Sequence, residues 1–148
     1  MYVPPPLVYV AFFFLSVLLQ KRWPIQSAMF GASRVAVIGW LLIALALLLI
    51  YPALRRFLIS KNTLITAKPA RSLQITGIYA YSRNPMYLGL LLLYCGIAFL
   101  KGNGWTFIVV PLLILVVHFY IIRKEESYLH RAFGDEYNTY RRRVRCWI

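Results

Sequence analysis

Four long apolar runs constrain this chain more than any other feature. They cover residues 3–20, 34–56, 84–101 and 105–123. A helix that crosses the hydrocarbon core of a bilayer needs about 20 predominantly apolar residues, and these runs lack the amphipathic stripe of a water-exposed helix. With 61% of its 148 residues apolar, the chain is predicted to form one all-α integral membrane domain of about four transmembrane helices.

The first run begins with three prolines, Pro4, Pro5 and Pro6. The first turn of a helix tolerates proline because its N–H groups have no partner within the helix. No Lys or Arg precedes this run, and no small-residue cleavage site follows it. We therefore expect a retained membrane span and not a cleaved signal peptide.

The Lys and Arg residues predict the orientation. If four helices cross, the side shared by both termini carries 13 of these cations and the other side carries four. Cytoplasmic connections hold the excess of positive charge, so both termini are predicted to be cytoplasmic. Because the basic residues flank the apolar runs, their expected partners are anionic lipid headgroups. Nucleic acid is not expected, despite the net charge of +13.

Turn residues predict how the later elements are connected. The segment Lys101-Gly102-Asn103-Gly104 is typical of a tight turn, which would join the third and fourth helices into a hairpin packed side by side. In the tail, residues 124–148, apolar side chains recur at helical spacing, and Gly134 followed by Asp135 indicates a helix stop and a new N-cap. We expect two short cytoplasmic helices on the membrane surface, with their apolar side toward the lipid.

Two polar segments are the candidates for chemistry, and the first surrounds the start of the third helix. Asn84 followed by Pro85 is typical of an N-cap and a first helical turn. The N–H groups and the dipole of a helix start favour a carboxylate or a phosphate. Arg83 would add a fixed positive charge beside them. Taken alone, Asn84-Pro85 is better explained as a simple helix start.

The second segment carries Glu125 and Glu126, at the cytoplasmic end of the fourth helix. The hairpin should bring this pair of carboxylates opposite the start of the third helix. There Tyr87 and Tyr94 share a helical face, and Gly89 would let a flat group approach the backbone. S-adenosylmethionine suits such a site, because it combines a carboxylate, an amine, sugar hydroxyls, a flat ring and a sulfonium that tolerates aromatic faces.

At these residues the sequence resembles the isoprenylcysteine carboxyl methyltransferases and their bacterial relatives, which are also similar to the phospholipid N-methyltransferases. The residues that carry the resemblance are Gly77, Tyr79, Arg83-Asn84-Pro85, Tyr87, Gly89, Glu125-Glu126, Leu129, Phe133-Gly134 and Tyr137. The loop residues Thr63 and Pro69 and the basic close from Arg141 to Trp147 also resemble the bacterial branch. The similarity runs from about residue 63 to residue 147.

The resemblance implies transfer of a methyl group from S-adenosylmethionine to a lipophilic acceptor that enters from the bilayer, with S-adenosylhomocysteine as the product. It implies no metal. The implied cofactor-binding residues are Gly77, Tyr79, Arg83, Asn84, Pro85, Tyr87, Gly89, Glu125 and Glu126. Among these, Arg83 and Glu126 are the implied catalytic residues.

One departure from the family pattern bears on the acceptor. The best-known members carry His where this chain carries Asn84, and asparagine cannot act as a general base. An ionised carboxylate needs no base, so the departure favours O-methylation of a carboxylate over N-methylation of a phospholipid or a hydrophobic amine. His118, inside the fourth run, is interpreted as a hydrogen-bonding partner of a neighbouring helix.

Two further functions stay open at the level of the sequence. One is a reductase related to the membrane sterol reductases, although those chains are much longer. The other is a non-catalytic membrane scaffold of the same fold. The identity of the acceptor and the oligomeric state are not predicted.

Overall fold

The computed structural model of the chain describes residues 4–25, 33–59 and 72–148, and every regular element in these ranges is helical. A 3-10 turn, Gly77–Ala80, precedes the third α-helix, and a π-helical stretch, Val117–Ile122, separates the last two. The α-helices are α1 Pro5–Arg22, α2 Ser33–Ile59, α3 Pro85–Lys101, α4 Gly104–Val116 and α5 Arg123–Arg143. Helices α1 to α4 therefore lie at the four predicted runs. Thr63 and Pro69 fall outside the described residues.

Within these described ranges, two helical segments are long and apolar enough to cross a membrane. They are Arg34–Arg56 within α2 and the continuous segment Gly104–Arg143, which includes α4 and α5. Helix α3 is apolar but has 17 residues. At a rise of about 1.5 Å per residue it spans about 26 Å, slightly less than a hydrocarbon core of about 30 Å. Crossing at all four helices stays a prediction.

The helices alternate in direction. The Tyr9 hydroxyl of α1 donates a hydrogen bond of 2.9 Å to the Tyr87 carbonyl, which brings together the first halves of α1 and α3. At the other end, the Trp105 indole at the start of α4 donates to the Trp23 carbonyl, just after α1. The start of α1, the end of α2, the start of α3 and the end of the helix that contains α4 consequently meet at one end of the bundle, here called the site end.

Small residues let α2 and α3 approach closely. A Cβ atom added to Gly96 would lie 2.9 Å from the Gly39 carbonyl oxygen, and one added to Gly89 would lie 2.5 Å from Cγ1 of Ile50. The interpretation of Gly89 as an opening toward a flat ligand is therefore wrong, because the α2 side chain fills that space. Gly89 is instead a helix-packing residue, a common role of glycine between membrane helices.

The predicted tight turn between α3 and α4 is confirmed. Gly102 ends α3 in the left-handed conformation, with φ 64°, and α4 begins at Gly104. The expected side-by-side packing of the two helices is only partly correct. The main partner of α3 is α2 and the main partner of α4 is α1, whereas α3 and α4 share a smaller contact. The reason is that the glycine face of α3, which permits the closest approach, points toward α2.

The outer surface of α2 is strongly apolar. Trp40, Leu41, Leu48 and Tyr51 are each between 63% and 71% exposed. An apolar surface of this extent is unusual on a water-soluble monomer, and it suits contact with lipid chains. The exposure of these residues supports the association of the protein with a membrane.

The tail bends where the sequence indicates a helix stop. Gly134 has φ 51° and ψ −120° inside α5 and divides it into two helical segments. The apolar side chains Tyr137, Tyr140 and Val144 are buried, and Leu73 packs against them. The expectation that this apolar face lies on lipid is therefore wrong. It packs on the protein itself, where its tyrosine hydroxyls find hydrogen-bond partners.

Candidate functional site

The start of α3 is held by the C-terminal segment of the chain. Asn84 occupies the N-cap position, but its side chain does not cap the helix. The Asn84 amide instead donates a 3.0 Å hydrogen bond to the Cys146 carbonyl, while the Arg83 backbone N–H donates to the Arg145 carbonyl at 3.0 Å. The predicted helix start is correct. The role of the Asn84 side chain, however, is to bind residues near the C-terminus.

Arg83 and Glu126 join the two polar segments that the sequence singles out. Nη1 of Arg83 lies 2.5 Å from Oε1 of Glu126, and the two side chains are only 11% and 17% exposed. The same nitrogen donates to the Tyr137 hydroxyl at 3.2 Å. Nε of Arg83 is buried and has no acceptor among the described residues. A largely buried ion pair thus leaves one guanidinium donor available for a further acceptor.

Glu125 lies among tyrosines. Its Oε1 accepts a 2.7 Å hydrogen bond from the Tyr87 hydroxyl. Burial, followed by the negative charge of Glu125, raises the pKa of Tyr79 to about 12. The Tyr79 carbonyl accepts a 2.6 Å hydrogen bond from the Tyr140 hydroxyl. The second carboxylate is therefore placed against the two motif tyrosines.

The 3-10 turn that carries Tyr79 also contacts the end of α2. Gly77 has φ +65°, and a Cβ atom there would lie 2.6 Å from Nε of Arg56. Nη1 of Arg56 donates to the Thr76 hydroxyl. Gly77 is thus required both for its backbone conformation and for the space that Arg56 occupies. Arg56 was not predicted from the sequence, because Arg55 and Arg56 follow an apolar run and were expected to bind lipid headgroups.

His118 and Cys146 also border this site. Nδ1 of His118, in the π-helical stretch, lies 3.9 Å from Sγ of Cys146, and the Asn84 amide lies 3.4 Å from the same sulfur. Burial and the charge of Glu126 raise the pKa of the Cys146 thiol. His118 could have been suggested by its position two turns before Glu125, whereas Cys146 lies in the basic close that resembles the bacterial branch but had no predicted role. π-helical segments occur frequently at functional sites.

The structure brings six of the nine predicted site residues into one group with four others. This polar cluster consists of Tyr79, Arg83, Asn84, Tyr87, Glu125 and Glu126, together with His118, Tyr137, Tyr140 and Cys146. Of the other three, Pro85 is buried at the first position of α3, Gly77 faces Arg56 and Gly89 faces α2. The cluster offers a guanidinium donor, two carboxylates and several aromatic faces at the edge of an apolar bundle.

Comparisons with known proteins find relatives that match less than half of this chain. An uncharacterised protein of Haemophilus influenzae is 41% identical over 63 residues, which is 43% of this chain and 100% of that protein. A protein-S-isoprenylcysteine O-methyltransferase of Schizosaccharomyces pombe is 38% identical over 68 residues, which is 46% of this chain and 29% of that enzyme. The chain thus matches less than a third of the yeast enzyme. No solved structure matches the chain.

The phospholipid methyltransferase family matches residues 35–136. This range contains α2, α3, α4 and both polar segments up to the bend at Gly134. It therefore includes Arg83 and Glu126, which the fold joins in the ion pair. The resemblance seen in the motifs is confirmed by this match and by the isoprenylcysteine O-methyltransferase relative. The chain belongs to the phospholipid methyltransferase family.

Proposed function

We propose that this protein transfers the methyl group of S-adenosylmethionine to a lipophilic acceptor at the site end of the bundle. Membership of a methyltransferase family supports the type of reaction. The observation that carries the proposal is the Arg83–Glu126 ion pair, because it unites the two motif segments in one largely buried polar cluster. We further propose four membrane crossings with cytoplasmic termini, which place this cluster at the cytoplasmic surface.

The polar cluster has the donors and acceptors that the cofactor requires. Nε of Arg83, a buried donor without an acceptor among the described residues, suits the cofactor's carboxylate. Glu125 and Glu126 suit its amine and sugar hydroxyls, and the ring faces of Tyr79 and Tyr87 suit a sulfonium. When bound, S-adenosylmethionine would supply an electrophilic methyl group. Asn84 and Pro85 would shape the pocket by fixing the start of α3.

Two of the residues implied by the family resemblance take an indirect part in this proposal. The space beside Gly77 is filled by Arg56, and that beside Gly89 by Ile50. Both glycines therefore shape the protein around the cofactor, and neither is proposed to touch it.

The proposed acceptor atom is a carboxylate oxygen on a lipophilic molecule. An ionised carboxylate is already a nucleophile, so the protein needs only to align it with the methyl group and to exclude water. The apolar surface around the site end suits an acceptor that arrives from the bilayer. The yeast relative is named as an O-methyltransferase, which supports this choice.

A lipophilic amine is the second candidate acceptor, and His118 favours it. An ammonium group must lose a proton before its nitrogen can attack. An imidazole is the side chain best suited to accept a proton near neutral pH, and His118 lies 3.9 Å from Cys146 within the polar cluster. The match to the phospholipid methyltransferase family is compatible with such an acceptor.

Binding of S-adenosylmethionine and S-adenosylhomocysteine to the detergent-purified protein, measured by calorimetry, tests the proposed function. We expect micromolar affinity in the wild type and a loss of about tenfold or more in Arg83→Ala and Glu126→Gln, since a hydrogen bond to a charged group contributes about 1.5–3 kcal/mol. Arg131→Ala and Glu136→Ala are matched controls, because both residues are exposed on α5. Their affinities should stay within about twofold of the wild type.

Methyl transfer to dodecanoic acid and to dodecylamine, followed with a labelled methyl group, then distinguishes the two acceptor classes. Carboxylate methylation should survive His118→Gln, whereas amine methylation near neutral pH should fall. A folded wild-type protein that binds neither S-adenosylmethionine nor S-adenosylhomocysteine would overturn the proposed function and favour the scaffold or the reductase.

A further inference from the structure

Arg56, in the last turn of α2, lies directly against the 3-10 turn Gly77–Ala80. Nε, Cζ and Nη2 of its guanidinium lie 2.6, 2.8 and 3.0 Å from the position that a Cβ atom of Gly77 would take. The flat guanidinium therefore covers Gly77 and occupies the space that a side chain would take there. Nη1 of the same group donates to the hydroxyl of Thr76, the residue before the turn.

The turn is held from the opposite direction by the tail. The Tyr140 hydroxyl donates a 2.6 Å hydrogen bond to the Tyr79 carbonyl, two residues after Gly77. The turn that carries Tyr79 is thus contacted by both α2 and α5. Burial and then the negative charge of Glu125 raise the pKa of Tyr79 to about 12.

A cation in the last turn of a helix has a simpler explanation, which is its interaction with the helix dipole. That explanation applies equally to Arg55, the neighbouring residue, which is exposed. It does not account for the hydrogen bond to Thr76, nor for a glycine with φ +65° lying under the guanidinium. The contacts with the turn distinguish Arg56 from Arg55, its described basic neighbour.

We propose that Arg56 is a positioning residue of the methyltransferase site. It clamps the Gly77–Ala80 turn to the end of α2 and thereby holds Tyr79 in place beside Glu125. The side chain acts through the turn and does not touch the cofactor. This inference rests on the proposed function, since Tyr79 is there assigned to the cofactor pocket. It also links α2, which contributes no residue to the polar cluster, to the site through the turn.

Affinity for S-adenosylhomocysteine, measured by calorimetry on folded protein, tests the proposal with a set of matched variants. Arg56→Ala should weaken binding about tenfold, because small displacements of a site residue have large effects. Arg55→Ala removes the same charge from the adjacent position and should change binding by less than about twofold. Arg56→Lys should recover only part of the affinity, since an ammonium can reach Thr76 but cannot cover Gly77 as a planar group does.

Gly77→Ala completes a double-mutant cycle with Arg56→Ala. The added methyl group collides with the guanidinium, so Gly77→Ala alone should weaken binding at least as much as Arg56→Ala. In the double variant the collision is absent, and the combined loss should be smaller than the product of the two single losses. Circular dichroism on each variant establishes that binding is compared between folded proteins.

Three results would overturn the inference: unchanged affinity in Arg56→Ala, equal losses in Arg55→Ala and Arg56→Ala, or strictly multiplicative losses in the cycle. Each presupposes a wild type that binds the ligand, so each leaves the proposed function intact. A folded wild-type protein without binding would instead overturn both the proposed function and this inference.

Discussion

Arg83, just before α3, and Glu126, in α5, bury most of both charged side chains in one contact. Desolvating two charges is costly, and their attraction offsets that cost only when both partners are present. A substitution that removes one charge leaves the other buried without its counter-ion. For this reason Glu126→Gln, which preserves the shape of the side chain, tests the charge of the site better than a truncation to alanine.

Tyr79 should make the protein sensitive to high pH. Its pKa is raised from 10.0 to about 12, first by burial and then by Glu125. Between these two values the unfolded chain loses the phenolic proton while the folded chain keeps it. The free energy of unfolding therefore falls as the pH rises from 10 to 12, by at most about 1.4 kcal/mol per pH unit for this one group.

Between pH 10 and pH 12, we expect the free energy of unfolding of Tyr79→Phe to fall less than that of the wild type. Chemical denaturation at several pH values between 9 and 12 measures the difference. Tyr81→Phe is the matched control, because Tyr81 is 79% exposed and two residues away. Parallel curves for the wild type and Tyr79→Phe would contradict the expectation.

At the scale of elements, α3 uses two faces for two purposes. Gly89 and Gly96, seven residues apart, face α2, where Ile50 and the Gly39 carbonyl fill the space beside them. Tyr87 and Tyr94 are buried in the core that also contains α1 and α4 residues. The Tyr87 hydroxyl reaches Glu125 from this second face. The same helix therefore fixes the packing of the bundle and presents side chains to the site.

Gly96→Ala should destabilise the α2–α3 contact. The new methyl group would lie 2.9 Å from the Gly39 carbonyl oxygen and 3.2 Å from the Ile43 backbone nitrogen, and backbone atoms cannot move aside without separating the helices. We expect a loss of about 1–3 kcal/mol, the usual range for overpacking, detected as a lower midpoint of thermal unfolding in detergent.

Gly104→Ala provides the comparison for Gly96→Ala. Its added methyl group meets only the Ile25 side chain, at 3.2 Å, which can shift by a few tenths of an ångström. Its effect should be clearly smaller. Equal stability of the wild type and Gly96→Ala would show that the two helices are not held by close backbone approach.

For the whole molecule, the alternating helices place the start of α1 and the C-terminal segment at the site end of the bundle. The α3–α4 turn, at Gly102 and Asn103, lies at the opposite end, where Asn103 contacts Ser16. If all four helices cross, the turn faces the side of the membrane away from the tail. The excess of Lys and Arg at the site end predicts that the tail is cytoplasmic.

Cysteine labelling in intact cells tests this topology. In a chain with Cys95 and Cys146 replaced by serine, Lys101→Cys should react with a membrane-impermeant thiol reagent added outside. Thr139→Cys, which is exposed on α5, should react only after the membrane is permeabilised. Labelling of both positions, or of Thr139→Cys alone, in intact cells would contradict the predicted orientation.

Features that depend on neighbouring residues could be predicted from the sequence. Apolar runs located the four helices, Asn84-Pro85 located the start of α3, and Gly102 and Gly134 located a turn and a bend. Each follows from local backbone preference or from hydrophobic length, which a single segment expresses without the rest of the chain. The hairpin predicted from the turn likewise brought the segment of Glu125 and Glu126 close to the start of α3, where Arg83 contacts Glu126.

Which faces of the helices meet depends on the packing of the whole fold. It placed Gly89 against α2 and buried the apolar face of the tail on the protein instead of on lipid. It also brought Arg56 to the Gly77 turn and Cys146 to Asn84. These contacts join residues that are far apart in the chain, and they are fixed by packing between elements. In a chain so rich in apolar residues, nearly every helical face can be buried, and the hydrophobic pattern alone does not select one.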